Sequence, residues 1–134
     1  MALDPQFAAT PKLAHGALSG ANTDRTGATT TNMVTTIVAP STGTRVRRIS
    51  VTATATTTAG MIRFFLHDGT AARPWFEVPV TAITPSASVA AFISTMTDTT
   101  NPELLPITLP SGWSIRATTH NAEAFSVIVG GADL

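Results

Sequence analysis

The fold of this chain is decided by the stretch Arg48-Ile49-Ser50-Val51-Thr52-Ala53-Thr54-Ala55. Apolar side chains at its odd-numbered positions alternate with polar side chains at its even-numbered positions. Successive side chains leave a β-strand on opposite sides, so a two-residue period is typical of a strand with one buried face. The stretch therefore predicts a strand that lies over a hydrophobic core.

Similar short runs recur along the chain and are separated by clusters of Thr, Ser, Gly, Asn and Pro, which favour turns. They predict strands at 13–21, 30–39, 44–56, 61–67, 73–82, 89–96, 104–109, 113–118 and 125–129, of which 89–96 is also compatible with a helical turn. Eight or nine short strands in 134 residues are typical of an all-β fold. We expect an antiparallel β-sandwich, jelly-roll-like, in which two sheets pack face to face.

Two of these runs carry further information. In 61–67, Ile62, Phe64 and Leu66 share one face of the strand, and Arg63, Phe65 and His67 share the other. The run at 73–82 contains Pro74 and Pro79, which lack the N–H that a strand ladder requires. We therefore expect that strand at a sheet edge or with a bulge, and the first strand, 13–21, also at an edge.

The chain is expected to form one domain. Hydrophobic residues make up 43% of it, which is enough for a core, whereas charged residues make up only 12%. A surface so poor in charge is solvated by Thr and Ser hydroxyls or is buried against other subunits. Residues 1–12, with Pro5 and Pro11, are interpreted as an extended N-terminal arm, and residues 13–134 as a single β-sandwich domain.

The charge balance and the lack of cysteine exclude several functions. Eight basic and eight acidic residues cancel, and Arg45, Arg47 and Arg48 form the only basic cluster. Because nucleic-acid binding needs a basic stripe, no nucleic-acid partner is expected. Without cysteine there is no disulfide and no thiolate chemistry. The sequence has neither a secretory signal nor an apolar stretch of roughly 18 residues, so we expect synthesis in the cytoplasm and no membrane partner.

The three histidines do not form a metal motif. His15, His67 and His120 lie on separate segments without the spacing of a zinc site. His67 precedes Asp68, and His120 is close to Glu123, so both are interpreted as members of local turn hydrogen bonds. A weak metal site would require these two turns to meet at one end of the sandwich. We expect no metal and no cofactor.

No catalytic constellation is apparent. The serines lie in turns without a nucleophile elbow, and no glycine-rich phosphate loop precedes a helix. Glu77 and Glu103 are the one pair of carboxylates left for glycoside cleavage, which needs two acids across a cleft. A hydrolase is therefore the weakest alternative, and the chain is predicted not to be an enzyme.

The two tryptophans suggest a carbohydrate-binding alternative. Trp75 and Trp113 are able to stack on a sugar face, and β-sandwich folds often carry lectin sites. Each tryptophan also belongs to an apolar alternating run, which favours a place in the core or in a subunit interface.

Three stretches resemble a family of small proteins from tailed-phage and prophage genomes. The first begins at Arg48-Ile49 and continues as Thr56-Thr57-Thr58-Ala59-Gly60-Met61-Ile62-Arg63-Phe64-Phe65-Leu66-His67-Asp68-Gly69-Thr70; the others are Pro79-Val80-Thr81-Ala82-Ile83-Thr84-Pro85-Ser86-Ala87 and Leu109-Pro110-Ser111-Gly112-Trp113-Ser114-Ile115-Arg116-Ala117-Thr118-Thr119-His120-Asn121-Ala122-Glu123. The resemblance covers most of residues 10–134, and its motifs mark turns and strands.

The resemblance implies a non-enzymatic structural protein of the virion, namely a capsid decoration (cement) protein on the capsid surface. Its expected partners are the major capsid protein and two further copies of itself, since closed rings multiply a small contact. The candidate interface residues are Arg45, Arg47, Arg48, Arg63, Arg116, Trp75 and Trp113. A tail, neck or fibre-associated component of the virion is the alternative within the same fold.

Overall fold

The computed structural model describes residues 10–134, which contain nine β-strands and no helix. The strands are β1 (Thr10–Leu18), β2 (Val34–Val38), β3 (Thr44–Ala53), β4 (Gly60–His67), β5 (Ala72–Val80), β6 (Ile93–Thr97), β7 (Ile107–Leu109), β8 (Ser114–Thr119) and β9 (Phe125–Asp133). The predicted all-β fold is confirmed, and the helical turn considered at 89–96 is not formed. Nor does this part of the chain offer any helix with the length and apolarity needed to cross a membrane.

The strands form two antiparallel sheets packed face to face. Sheet A has the order β1-β9-β3-β6, with β7 paired to the first part of β3, and sheet B has the order β2-β8-β4-β5. The first strand lies beside the last, and the chain passes from one sheet to the other at most connections. This is the strand order of a jelly roll, so the predicted β-sandwich is confirmed.

The core lies between the two sheets, where the alternating pattern places the apolar side chains. In β3, the inward-facing side chains include Val46, Ile49 and Val51, each with 0% of its surface exposed. On the opposite sheet, Phe64 stacks on Phe76 with ring centroids 4.6 Å apart. Burial of each such side chain stabilises the fold by roughly 1.5–3 kcal/mol.

Both edge predictions are confirmed. β1 and β5 lie at the edges of sheets A and B. In β5, Phe76 pairs with Phe64 and Pro74 pairs with Phe65, so Trp75 is an extra residue that has no partner in β4. The strand with two prolines therefore lies at an edge and also carries a bulge. At an edge, the N–H groups on one side of the strand have no partner in the ladder, so a proline there gives up no hydrogen bond.

The predicted end of the last strand is wrong. The glycines at 130 and 131 do not terminate β9, which continues to Asp133 and pairs with both β1 and β3. Arg47 is an extra residue of β3 at this point, because Val46 pairs with Gly131 and Arg48 pairs with Gly130. A Cβ at Gly131 would lie 1.9 Å from the carbonyl oxygen of Arg45. The glycine is therefore required by a close backbone approach at a bulge.

The predicted arm falls mainly outside the described residues. Residues 1–9 lie outside the described residues, whereas residues 10–12 form the beginning of β1. Thr10 pairs with Asp133 and Lys12 with Gly131.

The connection between β1 and β2, residues 19–33, lies over the outer face of sheet B, and we call it the covering loop. The backbone N–H of Asn22 donates to the carbonyl of Thr119 in β8 at 2.8 Å. Farther along the loop, Gly27 has a φ of +84°, and a Cβ there would lie 2.8 Å from the carbonyl oxygen of Ala72 in β5. Only glycine combines this backbone conformation with so close an approach. The loop therefore reaches from β8 across β4 to β5.

Two side chains hold the covering loop in shape. The amide of Asn22 donates to the carbonyls of Thr29 and Thr31 at 3.0 and 2.7 Å. The carboxylate of Asp24 accepts from the hydroxyl and backbone N–H of Thr26 and from the N–H of Thr29, at 2.7 to 2.8 Å. These hydrogen bonds, led by the one from the Thr26 hydroxyl, hold the pKa of Asp24 well below its usual range.

The covering loop buries the second face of β4. Arg63, Phe65 and His67 point away from the core between the sheets, yet only 3%, 1% and 9% of their surfaces are exposed. Sheet B is thus buried on both sides along its central strand β4.

Candidate interaction surface

The outer face of sheet A differs from that of sheet B, because none of its outward positions is buried. We call it the open face. Three rows of side chains cross β1, β9, β3 and β6: Leu13–Gly130–Arg48–Thr97, His15–Ile128–Ser50–Thr95 and Ala17–Ser126–Thr52–Ile93. Most of these residues are small or carry a hydroxyl group.

Three large apolar side chains stand out on the open face. Leu13 is 77% exposed, Ile93 is 60% exposed and Ile128 is 44% exposed. Single exposed apolar residues are common on protein surfaces, but several on one sheet face indicate an interaction site. The rows place the three on a diagonal across the sheet, from β1 through β9 to β6.

A depression of about 210 Å³ lies at one end of this diagonal. It is lined by Leu13, Arg48, Ser50, Ile128 and Gly130. Gly130 forms part of the lining because it has no side chain to occupy the space between Leu13 in β1 and Arg48 in β3. The depression therefore joins apolar walls to one guanidinium group.

The charge on the open face is positive. Among the twelve positions of these three rows, Arg48 and His15 are the only ionisable residues, and none is acidic. The carboxylate of Asp98, just after β6, lies 3.7 Å from Arg47. Within residues 10–134, no carboxylate forms an ion pair with Arg48 or with Arg45.

The structure separates the seven predicted interface residues. Arg45, Arg47 and Arg48 lie together at one end of β3 and are exposed. Arg116 lies on sheet B, where its Nε donates to the hydroxyl of Ser114 at 3.4 Å.

Arg63 is unsuited to contact with another subunit. Its Nη1 donates to the carbonyl of Asn22 at 3.3 Å, and its Nη2 donates to Nδ1 of His120 at 3.2 Å. Its Nε lies 3.8 Å from Glu77. Arg63 therefore fastens the covering loop to β4, and both of its Nη atoms donate within the chain.

The two tryptophans are partly buried against the core. Trp75 meets Phe76 edge-to-face with ring centroids 4.7 Å apart. Trp113 precedes β8, and its carbonyl accepts from the N–H of Ala39 at 2.8 Å. Both positions agree with the packing role that the apolar runs favoured over a sugar-binding role.

The two turn histidines do not meet. His67 ends β4 beside Ser114, whereas His120 follows β8 and its N–H donates to the carbonyl of Met61, so they lie at opposite ends of β4. Nδ1 of His67 accepts from the N–H of Gly69 at 3.0 Å, as expected of a turn hydrogen bond. Among residues 10–134, no group of three potential ligands is placed to hold a metal ion.

The carboxylates considered for hydrolysis have structural partners or lie apart. Glu77 in β5 accepts from Nε of Arg25 at 3.1 Å. Glu103 is exposed on the connection between β6 and β7, which belong to the other sheet. Glu123, which the sequence placed near His120, accepts from the N–H of Thr58 at 2.7 Å and so joins the turn before β9 to the turn before β4.

Sequence reasoning missed four residues of the open face, namely Leu13, Ile93, Ile128 and Gly130. A signal for Ile128 was present, because Val127-Ile128-Val129 interrupts the alternation and one of the three must point outward. Gly130 gave no such signal, since its role depends on the strands on either side of it.

No protein-family model matches the sequence. No curated protein sequence matches it at a significant level. Among solved structures, the chain is similar to one described as "Cyanophage Pam1 capsid asymmetric unit", with a TM-score of 0.49 and 16% sequence identity. The alignment covers 100% of this chain and 92% of that chain.

Proposed function

We propose that this protein is a non-enzymatic structural component of a phage virion, specifically a capsid decoration protein that binds the major capsid protein and stabilises the shell. The three motif stretches that resemble small tailed-phage proteins support the phage assignment. The open face is the observation that carries the binding role.

The open face supports binding because it leaves large apolar side chains in water. Leu13, Ile93 and Ile128 form an exposed apolar diagonal among residues that are small or carry a hydroxyl group. Burial of an apolar side chain gains roughly 1.5–3 kcal/mol. A partner that covers this face would bury these side chains and so gain most of that free energy.

The way the polar residues are used supports a role without catalysis. His67 and Asp68 close the turn after β4, Glu123 joins two separate turns through Thr58, and Glu77 pairs with Arg25. These are the residue types from which an acid–base site would be built, and each already has a structural partner.

A trimer fits this role. One open face of modest size gives a weak contact, and three copies held together make attachment firm through avidity. The N-terminal arm was predicted for residues 1–12; residues 10–12 belong to β1, and residues 1–9 stay part of the proposal as a contact between subunits.

The test is the copy number of the protein in purified virions, measured by quantitative mass spectrometry against the major capsid protein. A decoration protein is expected in a number of copies close to that of the shell subunit. A tail, neck or fibre component is expected in a few to some dozens of copies. Absence from virions would overturn the proposal.

Attachment is then tested directly with shells that lack this protein. Purified protein is expected to co-sediment with such shells up to a fixed stoichiometry. Sedimentation velocity of the free protein tests the trimer, which a lone monomer would contradict.

A further inference from the structure

The depression on the open face has the size and shape to receive one side chain. Its volume is about 210 Å³. For comparison, an enclosed apolar cavity of about 150 Å³ holds a benzene molecule. A leucine, methionine or phenylalanine from a partner would fill the space above Gly130 and contact Leu13 and Ile128.

The charge beside the depression indicates what must accompany that side chain. Arg48 lines the depression and has no carboxylate partner among residues 10–134. An arginine at the rim of an apolar contact is best satisfied by a carboxylate, which accepts two parallel hydrogen bonds from the guanidinium.

The same charge pattern argues against a second copy packed face to face. The open face has no acidic side chain, so a two-fold pairing of two open faces would leave Arg48 without an opposite charge. Electrostatic complementarity therefore favours a different surface that carries the carboxylate.

We propose that the open face binds a protein surface in which an apolar side chain stands next to a carboxylate. The apolar side chain enters the depression over Gly130, and the carboxylate pairs with Arg48. The inference rests on the proposed function, in which the partner is the major capsid protein.

The experiment measures binding of variants to undecorated shells assembled from the major capsid protein. Arg48→Glu is expected to weaken binding by roughly tenfold or more, because it places two carboxylates together, and Arg48→Gln is expected to weaken it less. Arg48→Gln is also expected to reduce the loss of affinity with added salt, since one screened charge pair is gone. Arg73→Gln, at an exposed residue of β5 in sheet B, is the matched control and is expected to bind as the wild type does.

A second pair of variants tests the depression itself. Gly130→Val fills it, and Leu13→Ser removes one wall; each is expected to weaken binding by roughly tenfold. A Cβ at Gly130 lies 3.5 Å from Leu13, an ordinary contact distance, and Leu13 is 77% exposed. Circular dichroism and thermal unfolding of every variant check that the fold is intact, and Leu13→Ser serves if Gly130→Val does not fold.

The outcomes separate the two proposals. If the wild type binds shells and the Arg48 and Leu13 variants bind equally well, the inference is wrong and the proposed function stands. If the wild type does not bind shells, both are wrong. If the variants instead change the sedimentation coefficient of the free protein, a second copy occupies the face and the inference is overturned.

Discussion

The outer faces of the two sheets differ in burial: that of sheet B is covered by a loop, and that of sheet A is exposed to solvent. On sheet B, the covering loop at 19–33 buries Arg63 and Phe65, although both point away from the core between the sheets. On sheet A, the corresponding outward positions stay in contact with solvent, and Leu13 and Ile128 are among them.

The difference shows where the chain completes its own structure and where it does not. Each residue of the covering loop costs about 1–2 kcal/mol of backbone entropy to order, and the burial of Phe65 and the hydrogen bonds of Asn22 offset part of that cost. No loop covers the open face in the part of the chain that the structure describes. Its apolar groups remain available to another molecule.

The largest expected effect compares equivalent truncations on the two faces. Phe65→Ala, under the covering loop, should reduce the free energy of unfolding by about 3–5 kcal/mol, because Phe65 is 1% exposed. Ile128→Ala, on the open face, should cost at most about 1 kcal/mol, because Ile128 is 44% exposed. Urea denaturation measures both. Similar losses for the two variants would contradict the contrast between the faces.

The next effect concerns the attachment of the covering loop. Arg63→Met removes the hydrogen bonds to Asn22 and His120 and should reduce the free energy of unfolding by about 2–3 kcal/mol. Amide hydrogen exchange within 19–33 should accelerate. Arg116→Met is the control on the same sheet, and it should change neither quantity by much. An unchanged exchange rate in Arg63→Met would show that the loop is held by other contacts.

A smaller effect distinguishes two adjacent glycines of sheet A. Gly131→Ala should reduce the free energy of unfolding by about 1–3 kcal/mol, because its Cβ would collide with the carbonyl of Arg45. Gly130→Ala should stay within about 0.5 kcal/mol, because its Cβ meets only Leu13, at 3.5 Å. Thermal and urea unfolding of the pair measure the difference. Equal losses would mean that the bulge, and with it the edge of the open face, is able to relax.

The smallest effect is a dependence on acid. The hydrogen bonds from Thr26 and Thr29 lower the pKa of Asp24 in the folded state, so its carboxylate stabilises the fold above the unfolded pKa of about 3.9. That stabilisation is lost as the pH falls through the lower folded value. The midpoint of thermal unfolding should therefore decrease on acidification below about pH 4.

Asp24→Asn should reduce the slope of this decrease without abolishing it. Hydrogen bonds also lower the pKa of Asp68, chiefly through the N–H of Ala71, and of Asp133, chiefly through the hydroxyl of Thr44. A slope that does not change in Asp24→Asn would show that acid acts on the protein elsewhere than in the covering loop.

The strands themselves were predictable wherever the period was strict. The run at 48–55 predicted the central strand β3, and the two prolines of β5 predicted both its edge position and its bulge. The end of β9 was not predictable, because a glycine pair usually weakens a strand. Its actual reason, the approach of the carbonyl of Arg45, exists only once β3 lies beside β9.

The burial of side chains that point away from the core was also beyond the sequence. The alternation at 61–67 correctly separates Phe64 from Phe65, but it does not reveal that both are buried. Phe65 is covered by Gly27, which is 38 positions earlier in the chain (65 − 27). The sequence accordingly predicts Arg63 as a candidate interface residue, whereas in the structure it is buried and fastens the covering loop.

The sequence by itself determined the strands, their inner faces and the two-layer fold, because the order of apolar and polar side chains along a strand assigns each one to a side. Only the tertiary structure decided which outer face is open. That choice depends on where the residues between β1 and β2 lie and on the register that sets Leu13, Gly130 and Arg48 in one row. Both are contacts between distant parts of the chain, and no local pattern encodes them.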